Sequence, residues 1–353
     1  MIIEKHMKWK LYALNFFVFA AISMVNTQMI PYLTKLGYSV VERGWILAGN
    51  AIVSIIGQFL FGYLCDRFQK IRRFFLLAYV ILIAASFAMF LYQQRVFYYH
   101  IFTVSFMGGM VKVIMGLDET WMLELDSEHY GVLRCFGALG LTIGSPIAGY
   151  LVSHFSYISL LISFSIISIV LLYLIKTSSD AKKNGRAMRM EDIKGFFKNK
   201  RYLLLVCIYL FIYMIGTADQ YVVIDKMLDI HANSTQIGIK WALQSFMEAP
   251  LFLISAKILK RFKPFTLLWF GTVMYAVKFF LYGFFHSPWL IIGTAGLQIV
   301  TLPIIMLTSK LLIKEVSGEK VASSAQMFAM AVFVGGSGLI TPIITSYVAN
   351  RVG

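Results

Sequence analysis

Six ionisable residues, Lys112, Arg134, Asp219, Lys240, Glu248 and Lys278, stand inside otherwise apolar stretches of the 353-residue chain. In an apolar helix such groups can bind a charged solute, carry a proton or neutralise one another. A charge at the centre of a membrane helix costs about 2.5 to 3.5 kcal/mol, so each is expected to face a cavity or a partner. Lys112 and Arg134 lie about one to two turns inside one end of their helices, and Lys240 about one turn inside the opposite end of its own, where long side chains reach headgroups. Glu248 is deeper. It falls 11 residues past Ile237, in WALQSFMEAPLFLIS (residues 241–255), which is about 16 Å along a helix axis and near the midplane. Pro250 follows two residues later and frees carbonyls near Gln244 to Phe246, so the acid sits beside an expected kink. Lys278 is the nearest opposite charge by depth. A structural Glu248–Lys278 pair therefore competes with a cavity-facing Glu248 that binds solute or titrates a proton, since burial favours the neutral acid and a facing ammonium favours the carboxylate. Asp219 either lines an outer vestibule or forms a pair of its own.

The helices that must carry these residues are legible from composition. Hydrophobic residues make up 59% of the chain and charged residues only 14%, more apolar surface than a soluble chain of this length can hide. Leu11–Thr34, Gly44–Cys65, Phe74–Gln94, Cys135–Ile175, Phe279–Ser309 and Val321–Asn350 contain no Asp, Glu, Lys or Arg. With roughly 20 residues per crossing, and turns at His154–Ser156 and Phe285–Pro288, eleven helices are expected: 10–32, 44–64, 74–92, 97–117, 133–153, 157–176, 201–222, 237–257, 265–284, 289–309 and 322–348. The last is read as one long or broken helix. The first is too long and lacks the small-residue site of a cleaved signal peptide.

The net charge of +15 is placed, not diffuse. Nine Lys and Arg fall between Lys176 and Arg201, four between Arg67 and Arg73, four between Lys257 and Lys263, and three each in the N-terminal tail and between Lys310 and Lys320. The alternate loops hold few, and that alternation puts the N-terminus and the central loop in the cytoplasm of a multi-pass cell-membrane protein. Basicity thus orients the chain in lipid and does not imply nucleic acid. Asp118, Glu119, Glu124, Asp126 and Glu128 make the fourth-to-fifth connection acidic. The three cysteines, Cys65, Cys135 and Cys207, have no metal or redox spacing and read as packing residues. No nucleotide-binding glycine loop, zinc-ligand spacing or nucleophile elbow is present, so neither an enzyme nor a cofactor or metal site is expected.

The chain also repeats itself. RGWILAGNA (Arg43–Ala51) and IGIKWALQS (Ile237–Ser245) place Gly44 and Gly238 194 residues apart; Arg67 and Arg261 share that offset, and Pro146 and Pro342 are separated by 196. Two matches at 194 and a third within two residues of it argue for two pseudo-symmetric six-helix halves: a bundle at 1–176, a linker at 177–200 and a second bundle at 201–353. The linker's basic amphipathic tail suits anionic lipid. The partner of the sixth helix would begin near residue 352, so a C-terminally truncated chain with its twelfth helix missing is expected. The offset sets Ser54 opposite Glu248, so the acid belongs to one half alone.

GYLCDRFQKIRR (Gly62–Arg73) resembles the loop signature of the major facilitator superfamily, a Gly, three residues, Asp-Arg, then basic residues, between the second and third helices. The resemblance implies an all-α integral membrane fold of two pseudo-symmetric bundles. It also assigns Gly62, Asp66, Arg67, Lys70 and Arg73 to a loop that latches one conformational state, with Gly62 permitting close helix approach. Gln69 stands where the family usually has glycine. Within the superfamily the chain resembles the branch of lactose permease and phenylpropionate-type permeases. By that resemblance Arg134, in YGVLRCFGALG, falls on a substrate-binding arginine and Glu248 on an eighth-helix binding carboxylate. Lys278, in GTVMYAVKFF, lies near a functional arginine, and Asp118 or Glu119 where the fourth helix carries a binding acid. Gln298 and Thr301 replace that branch's histidine and proton-carrying glutamate, and Leu141 its sugar-stacking tryptophan, so a lactose-type site is not expected.

The function so implied is secondary active transport of a small organic solute by alternating access in the cytoplasmic membrane. The expected form is proton-coupled uptake by a monomer, with Glu248, Arg134, Lys278, Gln298, Asp118 and Glu119 touching solute or proton. A drug/proton antiporter is the first rival, since GLTIGSPIAG (Gly140–Gly149) partly resembles an exporter signature; a transporter-like sensor or non-transporting remnant is the second.

Overall fold

The computed structural model describes residues 5–126, 128–181, 195–317 and 322–352; residues 182–194, the basic stretch of the expected linker, lie outside them. Among the described residues eleven long helical spans follow one another. They are α1 (Lys5–Asn26, resumed as Met29–Lys35), α2 (Val40–Phe68), α3 (Arg72–Leu91), α4 (Phe97–Asp126), α5 (Tyr130–His154) and α6 (Tyr157–Thr177). Then come α7 (Lys200–Asp229), α8 (Ser234–Arg261), α9 (Pro264–Phe284), α10 (Pro288–Ala295, then a 3-10 segment Gly296–Val300, then Leu302–Ser317) and α11 (Ala322–Met330, a π segment Ala331–Gly335, then Gly336–Val352). Every expected span is present. Among the described residues ten are long and apolar enough to cross a membrane. α8 is 28 residues long but more polar, because Lys240, Gln244 and Glu248 interrupt it.

Two helix ends show how the repeat operates locally. Ser39 and Glu42 form a reciprocal capping box at the start of α2, and Asn233 and Gln236 form one at the start of α8. Each box satisfies two backbone N–H groups that the first turn would leave bare. The two boxes stand at the same 194-residue separation as Gly44 and Gly238.

Beyond the caps, each repeated glycine lies against the proline-bearing helix of the other half. A Cβ on Gly44 would meet the Pro342 carbonyl at 2.6 Å in α11, and one on Gly238 would come within 3.0 Å of Pro146 Cα in α5. Further along the same pairs, Gly338 faces Ala51, Gly335 faces Ile55 and Gly149 faces the Ser234 backbone. Small residues let backbones approach in lipid, where no hydrophobic effect drives helices together. These crossings sit at the end opposite the basic loops, here the far end, and an ion pair joins them: Arg43 of α2 to Asp225 of α7 at 2.7 Å, with both side chains largely buried.

One core of buried side chains includes Phe75 against Trp121 and Tyr79 hydrogen-bonded to Ser168, from α3, α4 and α6. Another includes Tyr209, bonded to Thr308, with Tyr202, Tyr275, Ile305 and Phe333, from α7, α9, α10 and α11.

Three expectations are corrected. α4 does not stop at residue 117 but continues to Asp126, so Asp118, Glu119 and Glu124 are helical and not part of a loop. Nothing from Leu117 to Asp126 breaks a helix, and Leu117, Trp121 and Met122 bury one face of the extension. Gly62 makes no close approach, since a Cβ there would meet nothing within 4 Å. Cys207 is exposed on α7, although Cys65 is buried as a packing residue should be.

Gly238→Ala is expected to lower the thermal midpoint, at about 1–3 kcal/mol for overpacking against backbone. Gly62→Ala is expected to leave it unchanged or raise it by up to about 1 kcal/mol, the helix-propensity difference. Thermal denaturation of both variants in detergent makes the comparison.

Candidate functional site

Asp219 of α7 lies at the centre of the buried charges. Lys278 of α9 reaches its Oδ2 at 2.6 Å, and Lys240 of α8 donates to its backbone carbonyl at 2.9 Å while lying 3.3 Å from Oδ1. Gln244 Nε2 adds a hydrogen bond to Oδ2 at 2.8 Å. Both lysine side chains have 0% exposure and Asp219 has 2%. Charges so far from water persist only when paired and hydrogen-bonded, and one carboxylate here answers two ammoniums.

The second acid is attached through an amide. Gln298, in the 3-10 segment of α10, accepts from Lys278 Nζ at Oε1 (2.6 Å) and donates from Nε2 to Glu248 Oε1 (2.9 Å). Thr301 Oγ1 donates to the Gln298 carbonyl at 3.2 Å, where the backbone leaves the 3-10 turn before Leu302. The result is a continuous chain, Lys240–Asp219–Lys278–Gln298–Glu248, with two acids and two bases. The direct Glu248–Lys278 pair is therefore replaced by Lys278–Asp219 with Gln298 interposed, and Asp219 is a pairing residue. Lys240 does not reach headgroups, because Asp219 holds it inside. Gln244 is a member that a search for charges passes over. Its signal was its spacing, since Lys240, Gln244 and Glu248 recur every four residues and share one face of α8. That helix runs unbroken through Pro250.

α5 brings Arg134 to the same level. The antiparallel register that sets Gly149 against Ser234 and Ser145 against Gly238 continues through a Thr142 hydroxyl contact to the Ala242 carbonyl at 3.5 Å. Extended by two turns, it pairs Arg134 with the turn holding Glu248. Arg134 stacks 4.9 Å from the Phe19 ring centroid and lies in electrostatic range of Glu248, Asp118 and Glu119. Among the described residues it makes no ion pair within 4.0 Å and keeps its guanidinium donors available. Asp118 is buried, with no hydrogen bond on Oδ1. Glu119 instead crosses to α10 and pairs with Lys310 at 3.1 Å, the two side chains 34% and 50% exposed. By sequence alone Lys310 reads as a loop charge. Hydrogen bonds thus gather Glu248, Gln298 and Lys278, and electrostatics adds Arg134, Asp118 and Glu119.

Two turns toward the far end from Glu248 lies a small, part-open cleft of about 20 Å³, lined in part by Asn26, Asn50, Lys112, Gln220, Tyr221 and Trp241.

The loop after α2 is anchored by Asp180, beyond the end of α6. Gln69 adopts left-handed φ 53° as the C-cap of α2, and its Nε2 donates to the Asp66 carbonyl at 2.7 Å. The family pattern has glycine at this position, the residue that takes such a φ without strain. Arg67 approaches the Tyr63 hydroxyl at 3.4 Å, while Lys70 and Arg73 are exposed. The residue tying the loop down is Asp180, which accepts from the backbone N–H groups of Ile71 and Arg72 at 3.1 and 2.9 Å and so caps α3. Arg72 reinforces it by donating to the Ser178 carbonyl at 2.8 Å. No motif drew attention to Asp180, since its partners lie 108 and 109 residues away in sequence.

Compared with known proteins, residues 8–348 match the MFS_1 like family. The chain belongs to that family. It is 22% identical over 351 residues to the maltose permease of Geobacillus stearothermophilus, covering 96% of this chain and 86% of the permease. To the probable 3-phenylpropionic acid transporter of Escherichia coli (strain K12) it is 23% identical over 257 residues, covering 70% of this chain and 66% of that protein. Among solved structures, the crystal structure of nucleoside transporter NupG superposes with a TM-score of 0.82 at 13% identity, covering 98% of this chain and 92% of that one. This family member is a multi-pass membrane transporter of small solutes with the all-helical major facilitator fold, and not an enzyme.

Asp219→Asn is expected to strip two buried lysines of their counter-charge and destabilise the protein by about 3–5 kcal/mol. Adding Lys278→Met is expected to recover part of that loss. Thermal midpoints of both single variants and the double variant measure the coupling, and strict additivity would contradict a shared network.

Proposed function

We propose that the chain takes up a small organic solute by alternating access, coupled to protons and working as a monomer in the cytoplasmic membrane. Residues 1–176 and 201–353 rock as two bundles joined by 177–200, with the basic end in the cytoplasm. The alternation of basic and non-basic loops supports that orientation. The far-end crossings and the Arg43–Asp225 pair then describe a chain closed to the outside, with Glu119–Lys310 bridging the cytoplasmic mouth.

The observation carrying the site assignment is that Glu248 is the least buried acid of the charge chain and sits across the α5–α8 seam from Arg134. Groups acting on Glu248 come from each neighbouring element: Gln298 by hydrogen bond, and Arg134, Lys278 and Asp219 by charge. Glu248 and Arg134 bind the solute and the coupling proton. Lys278 has no free face and acts through Gln298, while Asp118 and Glu119 set the field around Arg134. Relatives named for maltose and for 3-phenylpropionic acid make sugars and aromatic acids the first solutes to try.

In proteoliposomes loaded for counterflow with maltose, sucrose or 3-phenylpropionate, Glu248→Gln is expected to flatten the pH dependence of uptake, and Arg134→Met to cut uptake at least tenfold. Unchanged uptake and pH profile in Glu248→Gln would sink the assignment.

A further inference from the structure

Of the six intramembrane charges, five are answered. Lys240, Lys278 and Asp219 share one network, Glu248 is tied to it through Gln298, and Arg134 faces three acids. Lys112 of α4 is the exception. It makes no hydrogen bond or ion pair among the described residues, and no acidic group acts on it. The acid two turns along the same face of α4, Glu119, is taken by Lys310. Lys112 is half-buried and lines the cleft between α1, α2, α4, α7 and α8.

The rest of the cleft, about 20 Å³ in this closed state, offers neutral partners to an organic guest admitted when the two halves part. Asn26, Asn50 and Gln220 offer amides, Thr27 a hydroxyl and Trp241 an indole face. None carries a charge. Gly108, one turn from Lys112, leaves room for the Asn50 amide, whose atoms would lie 2.5–2.8 Å from a Cβ there. A lone ammonium ringed by neutral hydrogen-bonding groups in a low-dielectric interior lacks an anion, and a charged partner forms the stronger, shorter hydrogen bond.

We infer that Lys112 anchors the carboxylate of an organic monoanion in this cleft, with Trp241 against its body and the Asn26, Asn50 and Gln220 amides around it. This rests on the transport reading above and narrows its solute class to small monocarboxylates. The cleft lies two turns, about 10 Å, from Glu248, so the anchor and the titrating acid are separate groups.

The test is ligand-induced thermal stabilisation of the purified full chain at matched ionic strength. The probes are 3-phenylpropionate, benzoate and gluconate, each against its neutral counterpart, 3-phenylpropionamide, benzamide and glucose. At least one carboxylate is expected to raise the midpoint by several degrees and its counterpart not to. Lys112→Met is expected to weaken that carboxylate at least tenfold and Lys112→Arg to retain it. Without ligand, Lys112→Met is expected to melt no lower than the parent, because an unanswered charge has been removed, which separates lost binding from lost folding. Equal stabilisation by the neutral counterparts, no stabilisation by any carboxylate, or an unaffected Lys112→Met would overturn the inference. Counterflow distinguishes the two readings: sugar uptake that survives Lys112→Met defeats the anion anchor alone, whereas absence of uptake for every solute defeats the transport reading.

Discussion

A bilayer offers charges no water, so lysines with no exposed surface must be answered from within the protein, and Asp219 meets that requirement for two of them. Two lysines with no exposed surface converge on it from different helices. Without that carboxylate α7, α8 and α9 could not bring Lys240 and Lys278 into one interior. Because Lys278 also donates to Gln298, the pairing fixes the position of the 3-10 segment of α10 and, through it, Glu248. The chemistry at the seam is thus held by a buried ion pair that itself has no access to solute.

The two halves contribute unequally to this arrangement. Capping boxes, crossing glycines and prolines recur with the repeat and build the same contacts twice, so the shared framework is a matter of backbone approach. The charge network is confined to α7 through α10. Ser54 and Ile46 occupy the positions in α2 that match Glu248 and Lys240, and neither carries a charge. Arg134, Asp118 and Lys112 are the first half's contribution, each lacking an ion pair in the described structure. One half therefore holds its intramembrane charges in a hydrogen-bonded network, and the other holds Arg134, Asp118 and Lys112 without a direct ion pair.

How much of this the sequence disclosed follows from the range of each interaction. The spans were readable because lipid demands long apolar runs, and helix-end residues such as Ser39 with Glu42 act within one turn. The end of α4 is not legible in the sequence, because acidic residues read as loop unless their buried face is known, and Leu117, Trp121 and Met122 supply that face only after packing. Depth along a helix correctly placed Glu248 and Lys278 at one level. Depth says nothing about rotation, and it is rotation that turns Lys278 toward Asp219, 59 residues away. Asp180 and Lys310 were invisible for the same reason, since their partners are set by tertiary contact.

The Gln298 amide has one further consequence. Lys278 can only donate, so the oxygen of the amide must face it and the nitrogen must face Glu248. Oε1 of Glu248 is thereby committed to accepting, whether the acid is charged or neutral. A proton arriving at Glu248 can be carried on Oε2 alone without breaking the chain. The orientation of one uncharged side chain therefore specifies which oxygen of the acid is chemically free, and gives the carboxyl group a fixed handedness within the seam.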